Sequence, residues 1–301
     1  MFQKMHIPAI LFGIIFFFLF TSAWGFYNSI RPPRITSSFT PKDFGLAYEE
    51  VSFQSVDGLT LKGWFIPKVV PEIPGLPSVS GALEESRGTK RTVIALHGYP
   101  ADKGDVLPFL SFLHKDFNLF LFDFRYLGES EGKYTSAGAK EVLDLLAAIS
   151  YLKTRGIEEV GVWGFSMGAA VALMGQEKSP AIKAVVSEAA YANLGDLAKE
   201  LYRIPYLNSP LAYFTKLWGR IIVGMNASDV SPEKSVRKSA IPILIIHAKN
   251  DEVISFSHAL RIQEALKNNP RAEFWFEDNL THGGVGKGYE ERIGSFFKNN
   301  L

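Results

Sequence analysis

The chain has 301 residues, with 32 Lys and Arg against 31 Asp and Glu, six histidines and no cysteine. This charge balance offers no basic field to a nucleic-acid backbone, so nucleic acid is not an expected partner. The missing cysteines exclude disulfides but leave the compartment open, and no histidine cluster has metal-ligand spacing, so neither metal nor cofactor is expected.

The amino terminus departs from a soluble composition. Ile7 to Phe20 runs fourteen residues without a charge, and the uncharged stretch continues to Ile30 between Lys4 and the pair Arg31 and Arg34. Trp24, Phe26 and Tyr27 are placed like an interfacial belt, and Ile7 to Tyr27 is about long enough to cross a bilayer as a helix. Residues 1–30 are therefore expected to be a membrane anchor. A signal peptide is the rival, with small residues at Thr21-Ser22-Ala23; cleavage of residues 1–23 would make the remainder periplasmic or secreted. A buried core helix is the third possibility. Positive charge on both flanks leaves the topology open. Residues 31–48 read as a linker, with three prolines among Ser and Thr up to Pro41.

Val51–Val56 and Leu59–Ile66, separated by Asp57-Gly58, predict an antiparallel hairpin with a type I′ turn. Pro67 to Lys90, with Pro67, Pro71, Pro74 and Pro77, predicts a long surface loop. Strands and helices then alternate. Strands are expected at Thr92–Leu96, Leu119–Phe124, Val160–Trp163, Ile182–Ser187, Ile241–His247 and Glu273–Phe276. Helices are expected at Lys103–His114, at Ala139–Arg155 with Val142, Leu145, Leu146, Ile149 and Leu152 on one face, and after Ser166. Apolar strands alternating with helices imply an α/β fold: a mostly parallel eight-stranded sheet with helices on both faces, whose ligands bind outside the carboxyl ends of the strands. Residues 190–239, with Tyr191, Tyr202, Tyr206, Tyr213, Phe214 and Trp218, interrupt the alternation and predict a small helical cap-like insertion within a domain spanning 49–301. Helix packing on the sheet explains those aromatics as well as a substrate-lining role does. There is no internal repeat.

The chemistry centres on Gly164-Phe165-Ser166-Met167-Gly168, set between a β-type run and an Ala-rich helical run. Chance supplies such a pentapeptide in a chain of this length about one time in ten, so the strand-turn-helix context carries the argument. Gly164 and Gly168 suit a crossing too close for a Cβ, and Ser166 would stand exposed at the sheet edge beside the free N–H groups of a helix start. A serine hydroxyl needs a base, and that base needs a third group to fix its tautomer. Of the histidines, His6 lies in the amino-terminal segment, His114 and His258 suit surface or packing positions, and His247 ends a strand. His282, in a loop followed by Gly283 and Gly284, can reach over the sheet edge and is the expected base. Asp251, after Ile-Leu-Ile-Ile-His-Ala-Lys-Asn, is the expected acid; Glu252 should point elsewhere, and Asp278 is the alternative if Asp251 turns away.

The order Ser166, Asp251, His282 is that of α/β-hydrolases. From about Glu49 to Leu301 the chain resembles that superfamily, closest to its Bem46/ABHD-type single-pass membrane hydrolases. His97-Gly98-Tyr99-Pro100 resembles the H-G-x-P turn, Asp123-Phe124-Arg125-Tyr126-Leu127-Gly128-Glu129-Ser130 the D-x-R-G-x-G-x-S stretch, and His247 to Ile254 the H-G-x-x-D-x-x-V stretch. Tyr126, Ala248 and Ser255 stand where Gly, Gly and Pro are usual, and none of these departures removes a catalytic side chain. The resemblance implies an oxyanion hole from the backbone N–H groups of Met167 and Tyr99, since Pro100 has none, with His97 and Gly98 as structural support. It implies a membrane-anchored serine hydrolase acting on an ester or thioester through an acyl-enzyme, its substrate a small-molecule or lipid ester. A peptidase or acyltransferase on the same triad, or a non-catalytic scaffold of the same fold, are the alternatives.

Overall fold

The computed structural model describes residues 6–68, 91–202 and 208–301, so most of the expected loop at 67–90, and Tyr206, lie outside the described residues. The chain divides into two compact units: Pro33–Ala192 with Ser231–Leu301, and Met1–Pro32 with Asn193–Val230. The strands are β1 (Glu49–Gln54), β2 (Thr60–Ile66), β3 (Thr92–Leu96), β4 (Asn118–Phe122), β5 (Val160–Phe165), β6 (Ile182–Glu188), β7 (Ile243–Ala248) and β8 (Ala272–Glu277). The main helices are α1 (His6–Ser29), α2 (Glu141–Thr154), α3 (Met167–Lys178), α4 (Leu194–Leu201), α5 (Asn208–Trp218), α6 (Phe256–Ala265) and α7 (Tyr289–Asn300).

In the larger unit all eight strands form one sheet in the order β1-β2-β4-β3-β5-β6-β7-β8. β2 runs antiparallel to β1 and β4, and the other pairs are parallel. Ile94 of β3 lies opposite Phe120 of β4 on one side and Val162 of β5 on the other. Every residue of β3 and of β4 is buried, the continuous apolar pattern of strands covered on both faces. Leu119, Trp163, Phe296 and Phe297 share the main core cluster.

Four expectations need correction here. The hairpin turn is not type I′, which needs two residues at positive φ. Only Gly58 is left-handed (φ 82°), while its N–H donates to Ser55 O (2.9 Å) and Ser55 N–H to Leu59 O (2.8 Å). This is a type I turn closed by a glycine bulge. The helix expected over 103–114 is three short turns, Lys103–Val106, Leu107–Leu110 and Ser111–Lys115. Pro108 has no N–H to donate, and Asp102 caps the first turn through Gly104 N–H and Asp105 N–H. The supposed linker is packed onto the domain: Ser37 N–H donates to Asp102 Oδ2 (2.8 Å), Arg34 stacks on Tyr126, and a Cβ on Gly104 would come within 2.7 Å of Phe39 O. Finally, Tyr191 is not part of the insertion. It is buried in the sheet unit, with its hydroxyl donating to Ala137 O (2.7 Å).

In the smaller unit α5 packs against both α1 and α4. Asn193 caps α4 through Gly195 N–H and Asp196 N–H, and the Tyr202 hydroxyl meets Thr215 Oγ1 of α5 at 2.6 Å. α5 continues into a π-helical turn, Gly219–Val223, ended by Gly224 in the left-handed region (φ 74°). The carboxyl end of α1 is tied to α5: Trp218 Nε1–H donates to Ser22 Oγ (3.0 Å), and Phe26 and Ile30 are buried. From Pro8 to Phe20 α1 presents phenylalanine, leucine and isoleucine outward, and its Pro8–Ser29 stretch is long and apolar enough to cross a membrane.

Candidate active site

Five strand ends on one side of the sheet, those of β3, β5, β6, β7 and β8, supply the site. β5 gives way to α3 at Ser166, whose backbone sits at φ 55°, ψ −113°, outside the regions comfortable for a side chain with a Cβ. The turn is held by Ser166 N–H donating to Glu188 O (2.8 Å) at the end of β6, and by Ser166 O accepting from Ala170 N–H (3.1 Å). The two flanking glycines are sterically required. A Cβ on Gly164 would lie 2.4 Å from Gly168 O, and one on Gly168 would lie 2.3 Å from Leu96 O. No side chain caps α3, so its first N–H groups start beside a half-buried Ser166.

The loop after β7 carries Asp251, its side chain fully buried. Asp251 Oδ1 accepts from Val253 N–H (2.9 Å) and Ile254 N–H (2.8 Å), which leaves Oδ2 to accept from His282 Nδ1 at 2.8 Å. Burial pushes the Asp251 carboxyl up, but the His282 hydrogen bond, the two amides and the charge on His282 outweigh it, so its pKa falls below the ordinary value. Nδ1–H must then be the proton His282 donates to Asp251, which leaves Nε2 as the basic nitrogen. The His282 ring packs on Phe165, the residue before Ser166, with centroids 4.9 Å apart. Gly283, left-handed at φ 77°, turns the loop so closely that a Cβ there would lie 3.2 Å from the same phenylalanine.

Asp278 is turned away from this group, in an exposed ion pair with Lys249 Nζ at 2.7 Å. Glu252 does not simply point elsewhere, as its position beside Asp251 suggested. Its Oε2 accepts from the backbone N–H of His282 at 3.3 Å, bracing the loop rather than the ring. His247 is buried, with Nε2 2.9 Å from Ile254 O and 3.5 Å from Asp251 Oδ2. Burial lowers its pKa and keeps it neutral in a structural place. His258 is wholly buried, accepting from Ala192 N–H (3.1 Å), and His114 is half-buried against Ser111 O.

After β3, the His97 ring spans two backbone groups. Nε2 accepts from Phe124 N–H (3.0 Å), so Nδ1 carries the proton and donates to Gly98 O (2.7 Å). Gly98 then abuts the turn at Ser166, where a Cβ would come 3.3 Å from Ser166 Cβ, and Tyr99 follows it, 40 % exposed. The D-x-R segment is scaffolding: Asp123 Oδ2 meets Lys103 Nζ (2.7 Å), and Arg125 Nη2 meets Asp144 Oδ1 (2.6 Å) while its Nη1 reaches Asp57 (2.7 Å) in the hairpin turn. Tyr126, standing where glycine is usual, adopts the left-handed backbone itself (φ 68°). Met167 is buried at the first position of α3. Among the described residues no group of three or more His, Cys, Asp or Glu side chains is arranged to hold a metal ion.

One functional group escaped the sequence reading. Glu188 ends β6 buried, and its Oε2 accepts from the Tyr289 hydroxyl at 2.6 Å. Burial raises its pKa to about 7, against the lowering by that hydroxyl and by the charge of His282. It lines a small cavity with Asp251, His247, Gly283 and Tyr289. The one clue in the sequence was an acidic residue closing the otherwise buried run Ala184–Ser187.

Comparison with known proteins agrees with this architecture. The profile of the dienelactone hydrolase family matches residues 130–290. The Bacillus subtilis protein YqkD is 33 % identical over 223 residues, 70 % of each chain. The Schizosaccharomyces pombe protein bem46 is 24 % identical over 271 residues, 87 % of this chain and 80 % of that one. The crystal structure of the Pyrococcus furiosus esterase Pf2001 superposes with a TM-score of 0.71 at 28 % identity, covering 90 % of this chain and 99 % of the esterase. An eight-stranded, mostly parallel sheet with Ser166, Asp251 and His282 beyond the carboxyl ends of its strands, and this breadth of matches, lead to one conclusion: the chain belongs to the dienelactone hydrolase family of the α/β-hydrolase superfamily and is a hydrolase resembling the Bem46/ABHD proteins.

Proposed function

We propose that the protein is a membrane-anchored serine hydrolase that cleaves a carboxylic ester or thioester through an acyl-enzyme on Ser166. The observation that carries this reading is the 2.8 Å bond from His282 Nδ1 to the fully buried side chain of Asp251, with the imidazole packed on the residue preceding a serine at φ 55°. Ser166 Oγ attacks the carbonyl carbon while His282 Nε2 takes its proton. The tetrahedral oxyanion is met by the backbone N–H groups of Met167, at the start of α3, and Tyr99. Collapse expels the alcohol or thiol, protonated by His282, and leaves the acyl group on Ser166. Water, deprotonated by the same nitrogen, releases the acid. Asp251 holds the ring and stabilises the imidazolium without itself becoming protonated. Each oxyanion donor is worth roughly 10²–10³ in rate.

Domain roles follow: residues 1–30 as anchor, 49–301 as the hydrolase domain, with residues 193–230 as a cap-like insertion. The similarity to the Pyrococcus furiosus esterase supports ester over amide. The anchor is favoured over a cleaved signal peptide because Ser22, which cleavage after Ala23 would remove, accepts a hydrogen bond from Trp218. An apolar anchor makes an acyl-lipid or another hydrophobic ester the natural substrate.

The test is turnover of a short-chain p-nitrophenyl ester together with covalent labelling by a fluorophosphonate. Ser166→Ala should abolish labelling and reduce turnover by about 10⁶, the scale seen for the subtilisin nucleophile. Labelling or turnover that survives the substitution refutes the assignment.

A further inference from the structure

We propose that the carboxyl end of α5 and the turn after it are seated in the membrane interface beside α1, with Tyr213 and Ile221 in contact with lipid at the boundary between headgroups and acyl chains. This rests on reading α1 as a membrane span.

The first argument is one of length. Pro8–Ser29 is 22 residues, about 33 Å at 1.5 Å per residue, which covers a hydrocarbon core of about 30 Å. Its last turns, however, are occupied by protein. Ser22 accepts from Trp218 Nε1–H, Phe26 and Ile30 are buried, and a Cβ on Gly219 would stand 3.9 Å from Phe26 Cζ. The stretch before that contact, Pro8 to Thr21, covers only about 21 Å. For a hydrocarbon core of about 30 Å, the missing length, about 9 Å, is recovered without thinning the bilayer when the bilayer extends past Ser22 and takes in the α5 end that grips it.

The second argument is depth. Trp24 and Tyr27, 62 % and 41 % exposed, are the aromatic residues that settle at a membrane–water interface. Ser22 lies on the membrane side of both, about 3 Å along the axis from Trp24 and about 7 Å from Tyr27. Trp218, bonded to Ser22, is therefore carried to or below the level of the belt.

The third argument is the face itself. Tyr213 is 65 % and Ile221 62 % exposed, while Ala212, Gly219 and Val223 of the same segment are buried. Exposed Arg220, next to Ile221, can keep its guanidinium at the phosphates while its stem lies along the apolar surface. An amphipathic face continuous with a span is what an interfacial segment requires.

The chain has no cysteine, so a single introduced thiol is unique. Full-length Ile221→Cys and Tyr213→Cys, labelled with bimane and reconstituted in phosphatidylcholine vesicles, are quenched by lipids bearing a nitroxide near the headgroup. Phe16→Cys, midway along α1, reports the anchor through lipids that carry the nitroxide deep in the acyl chain, and Leu260→Cys, exposed in the sheet unit, reports solvent. The inference expects quenching at 213 and 221 at least about twofold stronger than at 260, as for other helices lying in the interface. If 16 is quenched while 213 and 221 match 260, the inference is overturned and the anchor stands. If 16 is unquenched, the anchor reading falls and the inference falls with it. Equal quenching at 260 and 221 means general adsorption and also overturns it.

Discussion

Replacing Glu188 by glutamine isolates the electrostatics of the buried carboxyl behind the site. The change keeps the shape and leaves the Tyr289 hydroxyl an acceptor in place of Oε2, to which it donates at 2.6 Å. In the folded protein burial raises the Glu188 pKa from 4.5 to about 7. The native state therefore keeps this proton over a range in which the unfolded chain has lost it. The stabilisation this brings is complete below pH 4.5 and is lost as pH rises through 7. At 1.36 kcal/mol per pKa unit, a shift of that size is worth on the order of 3 kcal/mol. Denaturant unfolding of wild type and Glu188→Gln at a series of pH values, in the same detergent and with matched m-values, reads the difference directly. Relative to the variant, the wild type should lose about 3 kcal/mol between pH 4.5 and 7. A difference that stays flat across this window would show that Glu188 is ionised throughout and that burial does not govern it.

Asp251→Asn should lower turnover by about 10⁴ while leaving the protein folded, as in the serine-protease precedent for a wrong imidazole tautomer, whereas Asp278→Asn should leave it unchanged because its carboxylate serves Lys249. Because the Asp251 pKa is held below its ordinary value, the stability it contributes is present above pH 3.8 and lost as pH falls; acid unfolding of Asp251→Asn should show a weaker pH dependence in that range. Gly168→Ala puts a Cβ 2.3 Å from Leu96 O, a backbone atom that cannot turn aside, and should cost roughly 1–3 kcal/mol or more in thermal unfolding together with activity. Arg125→Met leaves Asp144 buried without its partner and should destabilise by about 3–5 kcal/mol.

The sheet was legible in the sequence because its inner strands are buried on both faces and read as apolar runs: Thr92–Leu96 coincides with β3, and only the ends of the others moved. The serine turn was legible because two glycines are a steric necessity there. What was not legible depended on distant partners. Residues 31–48 look like a spacer by composition, yet Asp102, 65 residues away, holds Ser37 in place. Pro108 broke a helix whose apolar spacing looked continuous. Glu188 drew no notice because the burial that gives a lone carboxylate its character arises only once Tyr289, 101 residues later, closes over it.

Among the described residues the strand order leaves β1 and β8 as the two edges of the sheet, each with a row of backbone groups that no further strand pairs. Both edges carry glutamates, Glu49 and Glu50 on one and Glu273 and Glu277 on the other, and two of these are tied to Arg155 and Arg292. A second copy adding edge to edge would bring carboxylates together and displace those arginines, the charge defence that discourages strand addition. If α1 anchors the protein as proposed, copies crowded in the two dimensions of a membrane can collide often without their sheets joining.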